Sequence, residues 1–201
     1  MARAAVLPLP EIDLPSAAMW RRIAGGFGAL VLAAYALIVC ALAVVQPDFG
    51  WDMLAYAAAV FEWNGATPEA AHAAAYAAVE ANTSPAQFTA LQSGDAYRVA
   101  QAESWQAFHS VQPLYTAKLA YIALLAALDP LVGGPVRAAW LVNWVSVAAF
   151  VALIGWWLHR HCLWLTAPLV AAALMALNFA DTVNSPMPDL AAAALVLAGS
   201  Y

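Results

Sequence analysis

Three groups of polar residues interrupt an otherwise apolar chain, and each carries atoms that can do chemistry. Asp48 and Asp52 lie in Gln46-Pro47-Asp48-Phe49-Gly50-Trp51-Asp52, directly after the first long apolar run. A carboxylate there can take a proton from a hydroxyl nucleophile within hydrogen-bond reach. It can equally be a first-turn helix residue that complements the helix dipole, an effect of about 0.3–1 kcal/mol. Pro47 and Gly50 disfavour a helix through Asp48, so Asp52 is placed at or just before the first turn of the helix that follows. The second group is Asn178, Asp181, Asn184, Ser185 and Asp189, stiffened by Pro186 and Pro188. Its carboxylates can bind a cation or an acceptor hydroxyl, and its composition also suits turns and caps. The third is His109, Gln112, Tyr115 and Lys118, in which the i, i+3 spacing puts Tyr115 and Lys118 on one helix face. Lys118 can balance a phosphate charge or simply snorkel to a membrane interface.

Other patterns exclude chemistry. His159 and His161 are two apart, cannot share a helix face, and lack the further Cys or His ligands that zinc needs. Cys40 and Cys162 lie in or beside apolar runs and read as small buried side chains with no disulfide or metal spacing. No phosphate-binding loop, dinucleotide fingerprint, serine elbow or His-Glu-x-x-His helix is present. Gly25-Gly26-Phe27-Gly28 does not have the spacing of a GxxxG helix-packing motif.

The elements that must position these residues are set by hydropathy. Hydrophobic residues make up 65% of the 201, and charged residues only 9%. Soluble domains carry about 25% charged residues, so this is an integral membrane protein. Seven Lys and Arg face twelve Asp and Glu, for a net charge of −5 and no basic stripe, which excludes nucleic acid as a partner. Residues 23–45 run 23 positions without a charge, where about 20 apolar residues span the roughly 30 Å hydrocarbon core. That run is also longer than the 7–15 residues of a signal peptide, so it reads as an uncleaved first span. Leu37-Ile38-Val39-Cys40 resembles a lipoprotein cleavage box only faintly, because Val39 is too large.

Arg21-Arg22 precede this span and no Lys or Arg follows until Arg98, so the positive-inside rule puts the N-terminus in the cytoplasm. The resulting expectation is an all-α polytopic membrane protein with a large extracytoplasmic loop of short juxtamembrane helices after the first span. Its parts are a cytoplasmic tail (1–22) whose first 20 residues read as disordered, a span (23–45), the extracytoplasmic loop (46–137), a span (138–158) and a cytoplasmic His-Arg-His turn (159–162). A third span (163–180), an extracytoplasmic acidic loop (181–189) and the start of an incomplete span (190–201) follow. Within the loop, Pro, Gly and Asn breaks predict helices over 52–63 and 68–81, with Thr67 as an N-cap, and over 97–109. Trp51, Leu54, Ala58 and Phe61 recur at helical spacing, which suits a helix on the membrane surface or one packed on other helices. Residues 114–128 are too short for a clear span; read as a half-inserted juxtamembrane helix, they leave Asp52, Asp181 and Asp189 on one side of the bilayer.

In order, these pieces resemble the N-terminal part of the GT-C superfamily of membrane glycosyltransferases, which includes protein O-mannosyltransferases, aminoarabinose transferases and oligosaccharyltransferases. The family's loop opens with a catalytic Asp, a Tyr-Ala pair and a Gly at the helix end, to which Trp51-Asp52-Met53-Leu54-Ala55-Tyr56-Ala57 and Asn64-Gly65 are similar. Its His-Pro-Pro-Leu-Tyr type of motif is similar to Val111-Gln112-Pro113-Leu114-Tyr115, and its Pro-Asp motif to Pro188-Asp189-Leu190-Ala191. Two departures stand out: Met53 replaces the second acidic residue that many members carry, and members have eight or more spans. The resemblance therefore implies the front of a longer enzyme, in the inner (plasma) membrane, that uses a polyprenyl-phosphate sugar donor taken from the lipid bilayer. It implies Asp52 as catalytic base and Asp48, Tyr56, Gln112, Tyr115, Lys118, Asp181 and Asp189 around the substrates. A divalent metal ion stays open, because metal use varies across the superfamily. The rival class is a non-catalytic polytopic membrane protein, an assembly subunit or a transporter fragment, whose carboxylates merely cap helices.

Overall fold

The computed structural model describes residues 16–200, and every regular element among them is a helix. The first, α1, spans Ala17–Val45, with the Ser16 hydroxyl accepting from the Met19 N–H. The helix thus runs through Arg21-Arg22, and the last residues of the expected tail belong to its first turns; the rest of that tail, residues 1–15, lies outside the described residues. Leu32, Tyr35, Val39 and Ala43 form the buried stripe of α1, while Leu30, Leu37, Ile38 and Val45 point outward. A second long helix, α8, spans Pro135–Arg160 and starts after Gly133 and Gly134, whose φ values of 79° and 140° only glycine adopts readily. These two helices are long and apolar enough to cross a membrane.

Between them lie six helices: α2 (Asp52–Trp63), α3 (Pro68–Glu80), α4 (Pro85–Ser93), α5 (Ala96–Glu103), α6 (Trp105–Thr116) and α7 (Leu119–Val132). Side-chain caps explain most of the boundaries: Thr67 opens α3, Ser84 forms a capping box with Gln87 at α4, and Asp95 opens α5. The helix expected over 97–109 is two helices, because Ser104 ends α5 in an extended conformation and its hydroxyl caps α6. The stretch 114–128 is likewise divided: α6 continues to Thr116, and α7 leaves it at 107°. α2 is not a surface helix. Met53 to Val60 are all buried, so α2 is the axis on which α3, α6, α7 and α8 pack.

After α8 the expected span 163–180 is not one helix. It is a 3-10 turn (Trp164–Thr166), α9 (Ala167–Ala176) and α10 (Phe179–Asn184), interrupted where Asn178 takes a left-handed φ of 53°. Asn is among the few non-glycine residues that tolerate that conformation. The pieces still follow α1 from end to end. Trp164 sits on Gly25 and Gly28, Phe179 meets Tyr35, and the Asn184 carbonyl accepts from the Asp48 N–H at 3.0 Å. The expected acidic loop is therefore divided among the end of α10, a short link (185–187) and the start of α11 (Pro188–Gly199), which packs on α8. Asn143, buried in α8, donates to the Val183 carbonyl and holds α10 in place.

Because α8 is antiparallel to α1, the two ends of the molecule differ in charge. Arg21, Arg22 and His159 line one groove at one end. At the opposite end Asp48, Asn184 and the start of α2 meet.

Gly28 makes the closest approach in this arrangement. A Cβ there would stand 2.6 Å from the Trp164 carbonyl oxygen and 2.7 Å from its ring, whereas one at Gly26 would meet nothing within 4 Å. Gly28→Ala is therefore expected to cost about 1–3 kcal/mol, while Gly26→Ala, with its gain in helix propensity, is neutral or stabilising by up to about 1 kcal/mol. Thermal unfolding of the two variants in detergent checks this; equal midpoints would contradict the packing of Trp164 on α1.

Candidate active site

Asp52 is the first residue of α2, half-buried, and follows Trp51, whose side chain makes no cap. Its carboxylate does not serve its own helix. Oδ1 accepts from the Tyr115 hydroxyl at 2.8 Å, a partner 63 residues further along the chain, and no other donor reaches the carboxylate among the described residues. Four residues on from Asp52, one turn along the same face, the fully buried Tyr56 hydroxyl accepts from Lys118 Nζ at 2.6 Å. The ammonium also lies 5.3 Å from the centre of the Tyr56 ring.

The bend between α6 and α7 builds this arrangement. Tyr115 lies in the last turn of α6, Lys118 is the elbow, and Tyr121 is in the first turn of α7. Tyr115 and Tyr121 close edge-on around Tyr56, with ring centres 5.3 and 5.2 Å away. Trp51 supports Tyr115 from the other side and packs on Phe108. The Tyr121 hydroxyl donates to the Pro186 carbonyl at 3.3 Å, which anchors the link between α10 and α11 beside the elbow. Asp189, exposed in the first turn of α11, is close enough for its charge to act on both Tyr56 and Lys118.

Of the residues expected to act together, Asp52, Tyr56, Tyr115 and Lys118 are thus joined by hydrogen bonds and ring contacts, and Asp189 by charge. Gln112 has a different place. It is buried, and its Nε2 donates to the Ala55 carbonyl at 3.2 Å, so it ties α6 to α2 beneath the site. Asp48 is exposed and enters only through its backbone N–H, and the exposed Asp181 carboxylate has no hydrogen bond among the described residues. Tyr121 and Pro186 were missed from sequence, although Tyr115, Lys118 and Tyr121 at i, i+3 and i+6 form a recognisable stripe. No three His, Cys, Asp or Glu side chains gather as a ligand set among the described residues.

Electrostatically the group holds its protons firmly. Burial, reinforced by the Asp52 carboxylate, raises Tyr115 above its ordinary value of 10.0. Burial also raises Tyr56, against the opposing pull of Lys118. The hydrogen bond to Tyr56 lifts Lys118 above 10.5, with Asp189 and Asp52 adding to the effect. Tyr76, buried in α3, is pushed up to about 12. For all four, the folded protein binds the proton more tightly than the unfolded chain. Their stabilisation is complete below the unfolded values and is lost as pH rises through the folded ones. The thermal midpoint is expected to fall as pH rises from about 10 to 12, and a flat profile in that window would contradict these surroundings.

Chemically, the arrangement offers a carboxylate with one oxygen held and the other available to a proton, next to a cation with donors to spare. Removing the tyrosine that orients the carboxylate should weaken any proton transfer at Asp52 without abolishing it. Tyr115→Phe is expected to lower turnover about tenfold, the scale of one hydrogen bond to a charged group. A rate equal to wild type would show that the bond does no positioning. Compared with protein-family models, with curated proteins and with solved structures, the chain has no match.

Proposed function

We propose that this chain carries the base-bearing face of a GT-C-like membrane glycosyltransferase. It moves a sugar from a polyprenyl-phosphate donor in the bilayer to a hydroxyl on the extracytoplasmic side, with inversion at the anomeric carbon. The observation that carries the reading is the hydrogen bond from Tyr115 to Asp52, which spends the carboxylate on a residue from another helix rather than on its own helix start. The acceptor hydroxyl gives its proton to Asp52 as its oxygen bonds to the anomeric carbon. The bond from that carbon to the phosphate oxygen breaks, and the electron pair leaves with the polyprenyl phosphate. Lys118 balances the charge that develops on the departing phosphate. Asp189, whose charge acts on Lys118, orients the incoming hydroxyl.

The separation of charge between the two ends of α1 supports the matching orientation. Arg21, Arg22, His159 and Arg160 face the cytoplasm and the site faces out, with the bent pair α6–α7 lying at the membrane surface. The test supplies membranes holding the intact protein with polyprenyl-phosphate hexoses and pentoses in turn and measures release of polyprenyl phosphate. Release with one donor class is expected. Correct insertion with no release from any of them leaves the non-catalytic reading, in which the carboxylates only mark helix ends.

A further inference from the structure

The groove at the basic end is separate from the Asp52 site and about 25 residues of α1 away from it. It encloses about 630 Å³ between the start of α1, the end of α8 and the turn after it. Its walls are apolar, chiefly Trp20, Ala24, Trp164 and Leu165, and its cations are Arg21 and Arg22, joined by His159. Among the described residues no acidic side chain lines it. The Trp164 indole N–H donates to His159 Nδ1 at 3.3 Å, so the neutral imidazole carries its proton on Nε2 and remains a donor. Through His159 and Trp164 the groove continues into a crevice of about 460 Å³ between α1 and α8, walled by Leu32, Ala36, Val151 and Gly155. A wet inorganic anion gains nothing from such walls, and a neutral hydrocarbon gains nothing from the arginines. A molecule with an anionic head and a long apolar chain uses both.

We propose that this groove binds one anionic phospholipid. Its phosphate is held by Arg21, Arg22 and His159, and one acyl chain lies along the crevice between α1 and α8. The proposal rests on α1 and α8 crossing the membrane and is independent of the transferase reading, since its readout is lipid retention and not sugar transfer.

The test is native mass spectrometry of the intact protein taken from mixed phosphatidylglycerol and phosphatidylcholine nanodiscs. Wild type is expected to retain one phosphatidylglycerol in preference to phosphatidylcholine. Each arginine near a membrane surface contributes about fivefold in affinity, so Arg21→Gln with Arg22→Gln should lower retention about 30-fold. Those arginines also help set orientation, so a second variant keeps the charge. Gly26 lines the groove and a Cβ there meets no atom within 4 Å; Gly26→Leu should fill the space and displace the lipid without disturbing the protein. Arg160→Gln removes a charge from the same end but outside the groove, and should change retention less than twofold. Retention undiminished in Gly26→Leu, equal losses in Arg160→Gln and the double variant, or equal retention of phosphatidylcholine would each overturn the proposal.

Discussion

Asp52→Asn is expected to lower sugar transfer by about 10²–10⁴-fold, the usual contribution of a positioned general base. The variant is chosen for what it preserves. An asparagine oxygen still accepts from the Tyr115 hydroxyl, so the α2–α6 contact at 2.8 Å survives and only the ability to take a proton is lost. Insertion and melting temperature should therefore match wild type. Transfer retained near the wild-type rate would remove Asp52 from the chemistry and return it to the role of a first-turn helix residue. The pairing with Tyr115→Phe sharpens the comparison, because orientation is lost there while the base remains.

Leu54→Ala is expected to have the largest effect on stability, about 2–5 kcal/mol for a large buried aliphatic side chain cut back to a methyl. Leu54 is 0% exposed on a helix whose run from Met53 to Val60 is buried throughout. Four other helices pack on α2, so the cavity has no flexible surface that could collapse into it. Because Leu54 is two residues from Asp52, the same change should also lower transfer. The contrast is Leu37→Ala on α1, where the side chain is 72% exposed and points away from every other helix. That substitution should cost under about 1 kcal/mol, since surface changes away from packed features are nearly neutral. Chemical or thermal unfolding in detergent distinguishes the two, and similar losses would contradict the placement of α2 at the centre.

Where the sequence carried paired local signals, the elements were legible. Gly50 before Asp52 and Asn64-Gly65 after Trp63 bracket α2, with Gly65 at a φ of 94°, and Thr67-Pro68 opens α3. Ser104 and Asn178 were not read as breaks because neither has a neighbouring Pro or Gly to mark one. What decides them is backbone geometry, an extended φ/ψ at Ser104 and a left-handed one at Asn178. The surroundings of α2 were also hidden, since an apolar stripe fits a lipid surface and a packed interior equally well. In the site, Asp52, Tyr56, Tyr115 and Lys118 were legible as residue types in order. The division of labour was not. Gln112 turned out to tie α6 to the backbone of α2, Asp181 stands apart, and Tyr121, carried round by the 107° bend between α6 and α7, completes the aromatic enclosure. Gly28, without the spacing of a packing motif, nonetheless packs directly against Trp164.

The central claim is that the carboxylates gather on one side of the membrane and the basic turn on the other. The chain supplies its own reporter for the second side, since Cys162, contrary to the burial expected from its apolar neighbours, is exposed beside the basic groove. A membrane-impermeant thiol reagent applied to intact cells should label Asp189→Cys and leave Cys162 unreacted until the membrane is opened. Labelling of both positions from outside, or of Asp189→Cys only after permeabilisation, would contradict the arrangement and with it the placement of Asp52 opposite an extracytoplasmic acceptor.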